Sequence, residues 1–224
     1  MAPWLLNKVL AVHRAASGWR WVRIVEVEAY DESDPASHSF GGPRGRNVVM
    51  YGEAARVYVY FTYGMHWCAN IVTGPVGRGQ AVLLRAGEPL GGVEAMADAR
   101  GGGGAGGGGG GGRAGGRGGR AGDGGGRAGG GLRDLCRGPA RLAQALGFDG
   151  SETGTEVLTG RGRVPSAASA LVVAVLDDGV EPPAQPAVGP RVGIAKGTEV
   201  PWRWWVPESP WVSAWRPGRR RPPS

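Results

Sequence analysis

The 224-residue chain contains only two cysteines, Cys68 and Cys136, three histidines and two lysines. Two cysteines are too few for a disulfide framework and are typical of a protein from a reducing cytosol. Neither a CxxC nor an HExxH spacing occurs, so a zinc site built from His38, His66 and the two cysteines has no support in the sequence. We therefore expect neither a metal nor another cofactor.

Long hydrophobic runs are also absent. No apolar stretch reaches the length of a membrane span. The N-terminal stretch MAPWLLNKVLAVHR is short, is interrupted by Asn7 and Lys8, and lacks the layout of a signal peptide. We expect a cytoplasmic protein that does not enter a membrane.

Positive charge is concentrated in two segments of low complexity. Residues 101–131 hold 22 glycines, four arginines, four alanines and one aspartate, and we interpret this tract as a disordered linker inserted in the fold. The tract contributes +3 and the basic tail, residues 216–224, contributes +4, which together equal the net charge of +7. Such segments can attract phosphate groups without sequence preference, or they can simply keep the chain soluble.

The remaining residues, 1–100 and 132–215, predict one folded domain. Residues 19–30 and 57–63 alternate in the manner of strands, and the second stretch places Tyr58 and Tyr60 on one face. Pro139 and Gly147 mark the start and end of a short helix. Because no regular βαβ rhythm is present, we predict a single α+β domain with a mainly antiparallel curved sheet and short surrounding helices.

Several side chains could carry chemistry. Glu26 and Glu28 lie two apart on one face of a predicted strand, beside Ile24 and before Tyr30, and burial on an apolar face raises the pKa of a carboxylate toward the range of a general base. Two solvated glutamates at a strand edge are the simpler alternative. Arg85 ends the strand AVLLRA and could hold an anion or a polarised water, whereas His38 lies in a turn-rich loop and could serve a binding or a structural role.

Five separated motifs occur together in a familiar order, and the tyrosine block among them is nearly unbroken. They are RIVEVEAY followed by DPASHSF, VYVYFTYGMHWCANIV, AVLLRAGEPL, LCRGPARLAQALG and PWVS. In this order the chain resembles the 3-methyladenine-DNA glycosylases of the alkylpurine type over most of residues 4–100 and 132–215. Asn7, in LLNKVL, stands where the family pattern has a glycine, and the glycine tract replaces a compact family segment.

The resemblance implies a role for particular side chains. Glu28 resembles the general base that activates a water, and Arg85 resembles the partner that helps to hold this water. Tyr30, His38 and Tyr60 resemble the residues of the aromatic base pocket. Asn70 resembles the residue that discriminates among purines at the floor of this pocket, and Tyr63 resembles the wedge inserted into the duplex.

The resemblance further implies a DNA-repair hydrolase that flips alkylated purines, such as 3-methyladenine and 7-methylguanine, out of double-stranded DNA and cuts their N-glycosidic bonds. Because neither Lys8 nor Lys196 lies in the motifs, we expect a monofunctional enzyme. We also expect a monomer that is associated with the nucleoid in a prokaryote or located in the nucleus in a eukaryote. A non-catalytic DNA-damage-binding module and an RNA-binding protein with a basic arm remain the alternatives.

Overall fold

The computed structural model of the protein describes residues 1–62, 64–101, 131–162, 165–166 and 169–216. Nearly all of the glycine tract and of the basic tail, as well as Tyr63, lie outside these residues, so the predictions made for them stay predictions.

Within these described residues, nine strands form one mixed sheet, and two α-helices and three 3-10 helices accompany it. The strands are β1 (Val9–Arg14), β2 (Gly18–Tyr30), β3 (Val57–Thr62), β4 (His66–Val72), β5 (Ala81–Gly91), β6 (Val157–Arg161), β7 (Leu171–Asp177), β8 (Ala187–Gly189) and β9 (Arg203–Trp205). The helices are α1 (Val93–Gly101) and α2 (Pro139–Leu146), with 3-10 turns at Ala2–Leu5, Gly45–Tyr51 and Leu132–Asp134.

The sheet order is β3-β4-β5-β2-β1-β7-β6, and β9 pairs with both β2 and β8. Every named strand pair is antiparallel except β6 with β7. Strands from before and after the glycine tract are neighbours, because β1 pairs with β7 and β2 with β9. The predicted single α+β domain with a mainly antiparallel sheet is therefore confirmed.

One face of the sheet carries the main hydrophobic core. Strand residues such as Val57, Val59 and Leu84 pack there with the buried side of α2, which includes Leu142 and Leu146. The alternation predicted for β3 is confirmed, because Tyr58 packs in a separate cluster on the other face. That second face is where the polar groups of the candidate site lie.

The long strand β2 contains irregularities in its pairing with β5 that the sequence pattern does not predict. Its register against β5 shifts between Ile24 and Glu26, and again between Glu26 and Val27. Ile24 and Val27 both enter the main core in consequence, although an ideal strand would point them to opposite faces. The prediction that Glu26 and Glu28 share a face with Ile24 is wrong, since both glutamates point away from the main core.

Local signals placed the helices well. Helix α2 starts at Pro139 and ends before Gly147, whose φ of 79° lies in the left-handed region that favours glycine, as predicted. Asn7 keeps the turn that a glycine would form, because it adopts a φ of 64° and asparagine tolerates this region. Helix α1 begins at Val93, directly after β5 ends at Gly91.

Within the described residues, no helix has the length and apolar character needed to cross a membrane.

Candidate active site

A cavity of about 430 Å³ opens on the face of the sheet opposite the main core. This volume falls within the range of small-molecule sites in proteins. The walls come from strands β2 to β5, the loop after β2, the start of α2 and the loop before β9. The lining residues used below are Tyr30, His38, Tyr58, Tyr60, Cys68, Asn70, Arg85, Val192 and Lys196.

Glu28 lies directly behind this wall. Its side chain is fully buried, and its carboxylate is held by three groups that belong to lining residues. Glu28 Oε1 accepts a hydrogen bond of 2.7 Å from the backbone N–H of Val192, and Oε2 accepts one of 2.9 Å from the Tyr30 hydroxyl. Arg85 Nη1 lies 3.2 Å from Oε2. The carboxylate therefore does not line the cavity itself but contacts three residues that do.

Burial raises the pKa of the Tyr30 hydroxyl well above its usual value, and the charge of Glu28 raises it further. Tyr30 therefore keeps its proton at neutral pH and acts as a donor to Glu28.

A second buried glutamate fixes the arginine. Glu26 Oε1 accepts hydrogen bonds from Arg85 Nε at 2.9 Å, from Arg203 Nε at 2.7 Å and from the Ser213 hydroxyl at 2.9 Å. Glu26 Oε2 accepts from the Ser213 backbone N–H at 2.7 Å. Two carboxylates and two guanidinium groups thus balance in charge, and Arg85 bridges Glu26 and Glu28.

The electrostatics of this cluster differ from the expectation that burial raises the pKa of such a carboxylate. Burial is the largest influence on Glu26 and does raise its pKa, but Arg85, Arg203 and the Ser213 hydrogen bonds together outweigh it. The pKa of Glu26 therefore lies below its usual value, so Glu26 is a fixed anion and not a proton acceptor. Burial lowers the pKa of Arg85, but Glu28 and Glu26 more than compensate and keep it charged.

The aromatic residues predicted for a base pocket come together around the cavity. Tyr30, His38 and Tyr60 all line it. The His38 and Tyr60 rings meet edge to face, with centroids 4.3 Å apart and planes 76° apart. Tyr58, which we did not assign to the site, also lines the cavity, and its hydroxyl lies 3.0 Å from His38 Nδ1.

Asn70 lies on the cavity wall as predicted and is only 4 % exposed. Its side-chain Nδ2 donates a hydrogen bond of 3.0 Å to the backbone oxygen of Tyr58, which fixes the orientation of the amide. Tyr63 follows β3 and precedes Gly64, so the chain around it lies near this wall, but Tyr63 itself is outside the described residues.

Sequence reasoning missed the loop that closes the far side of the cavity. Arg191 is 2 % exposed and forms a bidentate ion pair with Asp34, which is 4 % exposed. The same guanidinium donates to the backbone oxygens of Ala29 and Gly197 and lies 4.7 Å over the Tyr30 ring. One buried arginine thereby ties this loop to the end of β2, next to the N–H of Val192 that contacts Glu28.

Lys196 also lines the cavity, although its sequence position lies outside every motif. This placement weakens the reasoning that both lysines are remote from the chemistry. Among the described residues no carboxylate forms an ion pair with Lys196, whereas Lys8 pairs with Asp177 at 3.0 Å.

Cys68, the cysteine on the cavity wall, is unreactive at neutral pH. Burial raises the pKa of Cys68 to about 11, so the thiol stays protonated at neutral pH and is a poor nucleophile and metal ligand. The described ranges of the chain contain no cluster of three or more histidine, cysteine, aspartate or glutamate side chains suited to a metal ion.

Comparisons with known proteins identify one protein family. The family model for methylpurine-DNA glycosylase (MPG) matches residues 1–210. Three bacterial relatives carry the name "Putative 3-methyladenine DNA glycosylase". The protein from Burkholderia cenocepacia is 44 % identical over 214 residues, covering 95 % of this chain and 84 % of that protein. The one from Leifsonia xyli subsp. xyli is 41 % identical over 229 residues, covering 100 % and 89 %. The one from Nitrosospira multiformis is 37 % identical over 201 residues, covering 88 % and 81 %.

Proposed function

The chain belongs to the methylpurine-DNA glycosylase family, and from this membership we propose how its own residues release a damaged base. As a member it is a DNA glycosylase for alkylated bases, a repair enzyme that hydrolyses N-glycosidic bonds. The observation that carries the mechanism is the contact of the Glu28 carboxylate with Tyr30, Arg85 and Val192, which line an aromatic cavity, and its bridging by Arg85 to a second carboxylate.

A count of hydrogen bonds supports a position for the attacking water at Glu28 Oε1. A carboxylate has about four lone-pair positions. Tyr30 and Arg85 occupy Glu28 Oε2, and the Val192 N–H occupies one position on Oε1. The remaining position on Oε1 accepts a hydrogen bond from water. Because Glu28 is fully buried, this water enters when Tyr30 or the Val192 loop shifts slightly as the nucleotide binds.

In the proposed hydrolysis each bond formed is matched by a bond broken, and no metal ion takes part. The water oxygen bonds to the sugar C1′, the C1′–N bond breaks, and its electron pair leaves with the purine. Glu28 takes the proton that the water loses, and positioned proton acceptors of this kind contribute roughly 10²–10⁴-fold. An N-alkylated cationic purine departs as a neutral base, so it is a better leaving group than an undamaged one.

The cavity explains how the target base is held. A base inside a duplex hides its glycosidic bond, so the nucleotide must leave the stack at a cost of a few kcal/mol. Stacking on Tyr30 and Tyr60 offsets part of this cost, at about 1–3 kcal/mol per base. An electron-rich tyrosine face also attracts a cationic ring, which favours 3-methyladenine and 7-methylguanine over normal purines. Tyr63 then fills the gap in the duplex.

The preferred reaction is hydrolysis without strand cleavage. A lyase would need a neutral amine to form a Schiff base, and Lys196 is the one lysine on the cavity wall. The exposed ammonium of Lys196 instead suits contact with the DNA phosphates that accompany an extruded nucleotide. We propose that the enzyme works as a monomer in the cytoplasm, where the DNA of its bacterial relatives resides.

Base release from methylated duplex DNA tests this proposal. The full-length chain should free alkylated purines and leave an unbroken abasic strand, and borohydride should trap no covalent protein–DNA complex. Release without strand breakage supports the hydrolytic mechanism. A borohydride adduct that disappears in Lys196→Met would show a lyase instead, and absence of any base release would refute the function.

A further inference from the structure

The hydroxyl of Tyr58 contacts a ring nitrogen of the pocket histidine. Tyr58 is 1 % exposed and packs beside Met50, Val72 and Ala81, and its hydroxyl lies 3.0 Å from His38 Nδ1. The His38 ring, in contrast, is open to the cavity. Neither partner takes part in the chemical step proposed above.

The direction of this hydrogen bond follows from counting protons. A tyrosine hydroxyl has one proton to donate, and a neutral imidazole has one N–H. If His38 Nδ1–H were the donor, the buried Tyr58 hydroxyl would need a different acceptor. In the part of the chain that the structure describes, His38 Nδ1 is the one side-chain or backbone partner of that hydroxyl. A buried hydroxyl proton without an acceptor is costly, so Tyr58 donates and Nδ1 accepts.

The charge state of the histidine agrees with this direction. Burial lowers the pKa of His38, and the nearby charge of Arg46 lowers it further. The aromatic ring of Tyr60 and the Tyr58 hydroxyl also lie against the His38 ring, and neither is charged at neutral pH. A neutral imidazole whose Nδ1 accepts a hydrogen bond carries its proton on Nε2.

We propose that Tyr58 is a positioning residue that fixes His38 as the Nε2–H tautomer, so that the cavity offers an N–H donor to the extruded nucleotide. The partner on the nucleotide is a hydrogen-bond acceptor, either an oxygen of the flanking phosphate or an acceptor atom on the purine edge. The binding part of this inference rests on the proposed base pocket, whereas the tautomer part does not require DNA.

Nitrogen NMR of the DNA-free protein tests the tautomer directly. Long-range ¹H–¹⁵N spectra at neutral pH distinguish a protonated ring nitrogen from an unprotonated one, and a His38→Gln variant assigns the His38 signals among the three histidines. The wild type should show an unprotonated Nδ1 and a protonated Nε2. In Tyr58→Phe the two tautomers should mix. Tyr51→Phe is the matched control, because the Tyr51 hydroxyl donates to the Ser39 backbone oxygen at 2.5 Å in the same loop.

The affinity for DNA tests whether the nucleotide accepts a hydrogen bond from His38 Nε2–H. The probe is a duplex with one 2′-fluorinated 7-methyldeoxyguanosine, whose glycosidic bond resists cleavage. Tyr58→Phe should bind this probe about tenfold more weakly than the wild type, whereas His38→Gln, which keeps an N–H donor, should lose less than His38→Leu. If a methylphosphonate at the flanking phosphate removes the difference between wild type and Tyr58→Phe, the acceptor is the phosphate. If the difference persists, the acceptor lies on the purine.

The outcomes separate this inference from the proposed function. An Nδ1–H tautomer or an imidazolium in the wild type at neutral pH, in an enzyme that still releases base, overturns the inference alone. Equal tautomer populations in wild type and Tyr58→Phe overturn it as well. Equal affinity of wild type, Tyr58→Phe and His38→Leu for the probe would show that the nucleotide does not use the donor.

Discussion

Replacing Glu26 by glutamine should destabilise the protein strongly, because this side chain is the anion between two buried arginines. Glu26 Oε1 accepts from Arg85, Arg203 and the Ser213 hydroxyl, while Oε2 accepts from the Ser213 N–H. A glutamine amide has only one oxygen, so its NH₂ group must face a donor on one side. The change therefore removes a charge and at least one hydrogen bond.

The magnitude follows from the burial of the pair. Glu26 is fully buried and the Arg85 side chain is 5 % exposed, so solvent screens their interaction little. Removing one partner of a buried ion pair costs about 3–5 kcal/mol. Because glutamine keeps part of the Ser213 contact, we expect a loss of about 3 kcal/mol in the free energy of unfolding. For a chain of this size that corresponds to a decrease in Tm of roughly 6–12 °C.

The effect should depend on pH in a defined direction. The pKa of folded Glu26 lies below its usual value of 4.5, so the stability that the carboxylate contributes is fully present above that value. It is lost as the pH falls through the lower pKa of the folded state. Urea denaturation of wild type and Glu26→Gln should thus show a difference that is constant near neutrality and shrinks below pH 4.5.

Glu53→Gln is the control, because Glu53 pairs with Arg56 on the surface and its side chain is 68 % exposed. Its urea midpoint should barely change. A Glu26→Gln protein as stable as this control, or a difference that grows in acid, would refute the description of Glu26 as a buried fixed anion.

Two further predictions concern segments outside the described residues. Tyr63→Ala should slow excision from well-paired duplexes more than from single-stranded substrates, because only the duplex needs the wedge; equal slowing on both, measured as single-turnover rates, would argue against an inserted side chain. Deleting residues 216–224 should weaken binding to damaged and undamaged DNA alike and reduce the slope of log affinity against log salt concentration, and an unchanged slope would mean that the tail does not contact phosphate.

Much of the candidate site could be predicted from the sequence, because the patterns that indicate it involve residues close together in the chain. The alternation of β3 placed Tyr60 on the cavity side, and the motif AVLLRA marked Arg85, although β5 continues past Arg85 to Gly91 and Arg85 does not end the strand as predicted. Pro139 and Gly147 bounded α2 because helix caps act within a few residues. The motif PWVS was recognised without a role, and the structure gives it one, since Ser213 holds Glu26 with both its N–H and its hydroxyl.

The rest depended on contacts between residues distant in the chain. The register shifts of β2 reverse the face on which Glu28 lies, and strand alternation alone cannot detect such an irregularity. Arg191 reaches the Tyr30 ring, and Lys196 reaches the cavity, through a loop more than 150 residues away from Tyr30 along the chain, as the 157-residue separation of the Asp34–Arg191 pair illustrates. Tyr58 belongs to the site through the contact of its hydroxyl with His38 Nδ1, which strand alternation does not predict.

The central claim is that Glu28 activates the water that cuts the sugar–purine bond. The most direct test is the single-turnover release of 7-methylguanine from methylated duplex DNA by wild type and by Glu28→Gln, with binding to the uncleavable 2′-fluoro probe measured in parallel. We predict that release falls at least about 10²-fold while probe binding persists. Equal rates of release by the two proteins would contradict the claim.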